Sequence, residues 1–238
     1  MASRQTWGNV ILDAMPEREF AKFLAQLEHI ELGIKDVSQE PGEPVRKVFF
    51  PVDCVFSVVA NTDDGGVVEV ATMGSEGLAG LSVFLGHAQS TLTAFSQIPG
   101  AAWSTSAEYF RDAVNNGSWL RQVLQLYTHC LMLQISQGVI CNARHDVTQR
   151  CARWLLMSLD RVKRRDFQLT QEFLAQMLAV GRGSVNQVAT RFQAQGIIRY
   201  SRGRMSILKP ELLREITCEC YDKIADEYKR FGREIRRM

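Results

Sequence analysis

No apolar run in the 238-residue sequence approaches the ~20 residues that would span a bilayer. Met1 to Phe20 carries Asp13, Glu17, Arg18 and Glu19, so it lacks the apolar core of a signal peptide, and a cytoplasmic protein is expected. No CxxC occurs among Cys54, Cys130, Cys141, Cys151, Cys218 and Cys220. In a reducing compartment a chain of this length needs no disulfide framework, and buried cysteines acting as small hydrophobes are expected. Cys218 and Cys220 stand one residue apart, but without partners in the sequence they define no metal site. No metal and no cofactor is expected.

The catalytic signatures are missing too. There is no HxH, HExxH, G-x-S-x-G, P-loop or G-x-G-x-x-G. A cupin-like metal enzyme needs clustered histidines with a carboxylate, whereas the four histidines here lie far apart in sequence. The chain is therefore expected not to be an enzyme. One absence is local: no Arg or Lys occurs between Lys47 and Arg111.

What is present is unevenly distributed. Residues 1–145 carry 9 Lys and Arg against 15 Asp and Glu, a net charge of −6. Residues 146–238 carry 19 against 11, a net charge of +8. An acidic first part joined to a basic second part suggests that only the second meets a polyanion. A boundary near residue 145 separates an expected sensor domain, 1–145, from an expected DNA-binding domain, 146–238.

Short β-rich runs at Val45–Phe50, Val55–Ala60, Val67–Met73, Thr91–Ile98 and Ala101–Thr105 are separated by turn-forming residues, which predicts a small roll or sandwich. A helix over Glu17–Leu27 should pack outside it. From about 106 to 144 the period becomes helical, with Leu120, Leu124, Tyr127 and Leu131 forming an apolar stripe. Such a stripe can pair with a second copy or cover the roll; pairing, through these four residues, is the preferred reading. Asp146 can cap the next helix, which leads into a charged surface connection, Asp160 to Asp166.

Leu169 to Thr190 has the pattern of a helix-turn-helix. Thr170 is the expected cap of a first helix, about Gln171 to Leu178, and Ala175 allows two helices to cross closely. Val180 fills the angle between them, and Gly181 supplies a free φ in the turn. A second helix, about Arg182 to Gln195, turns Val185, Val188, Ala189 and Phe192 inward. Its outer face offers Arg182, Gly183, Ser184, Asn186, Gln187, Thr190 and Arg191. Side chains of these types suit base edges and phosphates in a major groove. Gly196 ends the helix. Ile197–Tyr200 and Met205–Leu208 then read as a hairpin with Arg202 and Arg204 at its tip, a wing able to straddle a phosphate backbone. With Thr170 and Gln171 at the entry to the first helix, these residues are the candidate DNA-binding set. A last helix, about Glu211 to Arg230, reads as a surface element.

Over most of its length the chain resembles the Crp/Fnr family of cyclic-AMP-receptor-like regulators. The resemblance is strongest from His145-Asp-Val-Thr-Gln-Arg-Cys-Ala-Arg-Trp-Leu-Leu156 through Ile207. It implies an α+β chain with an N-terminal β-roll of the cyclic-nucleotide-binding type, a long dimerisation helix and a C-terminal winged helix-turn-helix. It also implies a homodimer that reads a near-palindromic operator in duplex DNA and contacts RNA polymerase. Arg182 falls on the family's base- or phosphate-reading arginine and Ser184 on its backbone-contacting hydroxyl; Asn186 and Gln187 fall within the reading face. Gly183 stands where the cyclic-AMP receptor has a base-reading glutamate, and Gln187 replaces a later arginine.

In the roll, Gly80 and Gln89 stand at the family's ribose-binding glutamate and phosphate-binding arginine. With no cation nearby, cyclic-AMP binding is not expected, and the effector is left unassigned. The family's N-terminal iron–sulfur cysteines have no counterpart before Cys54, and the isolated His29, His87 and His129 are a weak signal for a haem ligand. The alternative function is a non-enzymatic protein- or RNA-interaction module.

Overall fold

A computed structural model describes residues 6–63 and 65–238. Its first helices are α1 (Val10–Ala14) and α2 (Glu17–Leu24). The strands β1 (Glu28–Leu32), β2 (Val37–Gln39), β3 (Lys47–Pro51), β4 (Val55–Asn61) and β5 (Val67–Met73) follow. After the short α3 (Leu81–Phe84) come β6 (Thr93–Ile98) and β7 (Gly100–Ser106). They form two antiparallel sheets, in the orders β1-β7-β3 and β2-β6-β4-β5. Phe49 and Ala102 of one sheet meet Phe56 and Met73 of the other inside the roll. Five strands coincide closely with the predicted runs. The sequence pattern missed β1 and β2, short edge strands with no fully buried side chain.

Asn9 starts α1 and locks it to the roll. Its side chain accepts from the N–H groups of Ile11 and Leu12, while its amide donates to the carbonyls of Pro51 and Gly77 at 3.0 and 2.8 Å. The predicted helical stretch 106–144 divides into α4 (Ala107–Asn116), capped by Ser106, and α5 (Ser118–Arg144). The break at Gly117 follows two asparagines, which favour helix ends over interiors.

The stripe on α5 requires a correction. Leu120, Leu124 and Tyr127 are buried in the protomer's own core, and Tyr127 donates to the Leu78 carbonyl at 3.1 Å. Leu131 is half-buried against the same cluster. None of the four forms an open face. The apolar side chains that α5 leaves exposed are Met132, Ile135, Val139 and Ile140.

The second region comprises α6 (Val147–Val162), β8 (Asp166–Gln168), α7 (Gln171–Met177), α8 (Arg182–Ala194), β9 (Ile198–Ser201) and β10 (Arg204–Ile207), then α9 (Pro210–Ile216) and α10 (Glu219–Ile235). Asp146 and Gln149 form a capping box at the start of α6. The strands β8, β10 and β9 make a third antiparallel sheet.

The terminal helix is not a surface element. It breaks after α9, and α10 runs back along α5 and α1, burying Phe231 and Ile235 in the core that holds Tyr127. Nor is Arg161 part of an exposed connection. It is 5% exposed, paired with Glu76 at 2.7 Å and bonded to Gln134 at 2.7 Å. Its charge made it read as surface, but the largely buried Glu76 carboxylate and the buried Gln134 amide oxygen accept its hydrogen bonds.

Among the described residues no helix is long and apolar enough to cross a membrane.

Candidate nucleic-acid interface

The interface is built on the hydrophobic side of two crossed helices. Thr170 caps α7, its hydroxyl accepting from Phe173 N–H at 3.1 Å. Phe173, Leu174, Ala175 and Met177 then face the core with Val185, Val188, Ala189 and Phe192 of α8. Buried Arg150 of α6 donates to the Leu178 carbonyl, fixing the end of α7. In the turn, Gly181 has an ordinary φ of −64°. The left-handed residue is instead Ala179, at φ 49°. The bend is therefore made two residues earlier than expected, with Val180 N–H closing on the Ala175 carbonyl at 3.0 Å.

With those apolar groups inward, Arg182, Gly183, Ser184, Asn186, Gln187, Thr190 and Arg191 all lie on the exposed face of α8. No side chain caps the start of α8, where Ser184 N–H closes on the Gly181 carbonyl at 3.0 Å, beside Arg182 and Gly183. An uncapped helix start with a local cation suits a phosphate. Gln171 reaches across from α7, its side-chain amide donating to Asn186 Oδ1 at 3.3 Å. At the far end Gly196, at φ 65°, and Ile197 donate to the Gln193 and Phe192 carbonyls, a Schellman closure.

The wing is a two-residue hairpin. Arg202 and Gly203 both have positive φ, 49° and 73°, as a type I′ turn requires. The Gly203 carbonyl accepts from Leu169 N–H at 2.9 Å, which holds the tip beside Thr170. Exposed Arg202 and Arg204 thus flank a tip held near Thr170. Strand β8 was not predicted; three residues with one buried side chain, Phe167, leave too little pattern to read.

A second constellation couples this domain to the roll. Glu69 of β5 accepts from Trp154 Nε1 of α6 at 2.9 Å and from Ser57, with Met177 of α7 also against Ser57. Burial pushes the Glu69 carboxyl up to about 7, against the pull of those hydrogen bonds. Arg164 adds an ion pair to Asp53 at 2.8 Å. A cavity of about 170 Å³ lies nearby, between β5, α5 and α6, lined by Glu69, Gln134, Val139 and Trp154.

Cys218 and Cys220, which define no metal site by themselves in the sequence, acquire partners through the fold. Cys141 and His145, one turn apart at the end of α5, meet Cys218 and Cys220 at the start of α10. All six cysteines are buried, as expected, but three of them form this separate cluster. Hydrogen bonding with Cys141 holds the Cys218 thiol below its ordinary value, while the same contact and burial push Cys141 up.

Residues 149–216 match the family model for a Crp-like helix-turn-helix domain. No curated protein sequence matches the chain. Solved structures share the fold at low identity. FixK2 from Bradyrhizobium japonicum is 14% identical, with 81% of this chain and 98% of that one covered and a TM-score of 0.67. The c-di-GMP-responsive global regulator CLP of Xanthomonas campestris is 16% identical, with 81% and 99% covered and a TM-score of 0.62. A CRP-family transcriptional regulator from Thermus thermophilus is 17% identical, with 79% and 95% covered and a TM-score of 0.64.

Proposed function

Because the chain has the Crp/Fnr regulator fold and carries a Crp-like helix-turn-helix domain, we propose that it is a sequence-specific DNA-binding transcription regulator. In this reading it acts as a homodimer on a near-palindromic operator. Residues 1–145 form the sensor and dimer-forming part and 146–238 the DNA-binding part. The observation that carries the proposal is the exposed polar face of α8, flanked by an arginine-tipped wing.

Arg182, Asn186, Gln187 and Thr190 are assigned to base edges, with Gly183 and Ser184 at a phosphate approached by the uncapped helix start. Arg191, Thr170, Gln171, Arg202 and Arg204 are assigned to the flanking backbone. The dimer seam is assigned to Met132, Ile135 and Val139, whose three- and four-residue spacing puts exposed apolar groups on one face of α5. Contact with RNA polymerase is proposed by analogy with the family alone.

Control by cyclic AMP is not proposed. Gly80, at φ 108°, offers no side chain to a ribose, and Gln89 offers no charge to a phosphate. Leu78, Leu124 and Tyr127 fill part of the space between the roll and α5. Micromolar binding of cyclic AMP or cyclic GMP by calorimetry would overturn this part.

Selection of bound sites from a random duplex pool tests the main reading. A repeated half-site, with centres about one helical turn apart, is the expected product. Binding that depends on salt but never on sequence would instead favour an RNA- or protein-interaction module.

A further inference from the structure

We propose that Cys141, His145, Cys218 and Cys220 bind one tetrahedral Zn²⁺ ion that ties the end of α5 to the start of α10. The four ligand atoms lie within 4.8 Å of one another. Zinc binds thiolate sulfur at about 2.3 Å and imidazole nitrogen at about 2.0–2.1 Å. A tetrahedron of those lengths has sulfur–sulfur edges of about 3.8 Å and sulfur–nitrogen edges of about 3.6 Å. Here Cys141 Sγ and Cys218 Sγ are 3.5 Å apart, and Cys220 Sγ and His145 Nδ1 are 3.7 Å apart. Two of the six edges thus match those of a tetrahedral site.

The surroundings fit a metal as well. His145 turns Nδ1 toward the sulfurs, while its Nε2 faces the Glu219 carboxylate at 3.3 Å. A carboxylate accepting from the outer ring nitrogen fixes the tautomer in which the inner nitrogen can ligate. The sulfurs are buried and form a cluster apart from the main cores, which suits a closed structural site. Three thiolates with Zn²⁺ leave one net negative charge, and Arg153 acts electrostatically on both Cys141 and Cys220 to offset it. Soft thiolates with one imidazole in a tetrahedral set select zinc over magnesium, calcium or manganese.

Full-length protein, purified under reducing, chelator-free conditions, should contain one zinc per chain by elemental analysis. Replacing zinc with Co²⁺ should give the visible ligand-field bands of a tetrahedral site and a sulfur-to-cobalt charge-transfer band. Both should disappear in Cys218→Ser and Cys220→Ser. Because those variants could unfold, Glu219→Gln, at an exposed position, is the second arm. It should keep the cobalt spectrum while weakening affinity about 10- to 100-fold. Metal-free protein that shows no cobalt charge-transfer band overturns the site, as does a Cys141–Cys218 disulfide in protein kept reduced. Cobalt bands unchanged in both serine variants would assign the metal to other residues and overturn this ligand set.

Discussion

Arg182 and Arg161 carry the same charge in opposite surroundings, and their substitutions should fail in opposite ways. Arg182 is exposed at the uncapped start of α8. Arg182→Ala should leave folding unchanged and weaken operator binding by about 1–3 kcal/mol, with preference relaxed at one base pair. Fluorescence anisotropy on the selected operator and its single-base variants reads this directly, and equal loss on random DNA would remove Arg182 from base recognition. Arg202→Ala or Arg204→Ala should instead weaken all duplexes alike and lower the salt slope by about 1 each. Arg161 is enclosed by Glu76, Gln134 and the Thr72 carbonyl. Arg161→Ala strands a largely buried carboxylate, so a stability loss of about 3–5 kcal/mol is expected in chemical denaturation.

At the scale of elements, α5 separates two kinds of apolar residue that its sequence mixes. Val139→Glu should convert dimer to monomer in sedimentation, with little change in thermal stability, because Val139 is 65% exposed. Leu124→Ala should do the reverse, lowering protomer stability by about 2–5 kcal/mol through a cavity. Five of the roll strands, the helix-turn-helix and the wing were legible because each is specified within a few residues: alternation, an Asp or Thr cap, Gly196, an Arg-Gly turn. The face of α5 that stays uncovered was not legible. It depends on where the roll and α10 lie, and both faces of α5 are apolar. The Cys141–His145–Cys218–Cys220 cluster was hidden for the same reason, since its halves are more than 70 residues apart and are joined only by tertiary packing. Ala179 was hidden by a local rule: a glycine stood two residues away, and the left-handed φ was assigned to it.

Across the whole molecule, Glu69 makes the contact between roll and winged domain depend on pH. Its folded-state value, about 7, lies above the ordinary 4.5, so between those values the folded form holds more protons. Stability should therefore fall as pH rises from about 4.5 to about 7 and level off above. Glu69→Gln should flatten that slope, as melting temperatures from about pH 5 to about pH 8 would read. The path of α10 has a wider consequence. The chain leaves the first body at His145 and rejoins it at Cys218, and those two points adjoin the same cluster. The intervening segment is thus topologically an insertion whose two ends meet, not a tail hung from one thread. Besides those two attachments, Trp154 with Glu69 and Arg161 with Glu76 hold the segment against the roll. Closing so long a loop costs little more than closing one half as long, about 0.6 kcal/mol per doubling. Insertions in the surface loops of the winged part should accordingly cost little closure entropy.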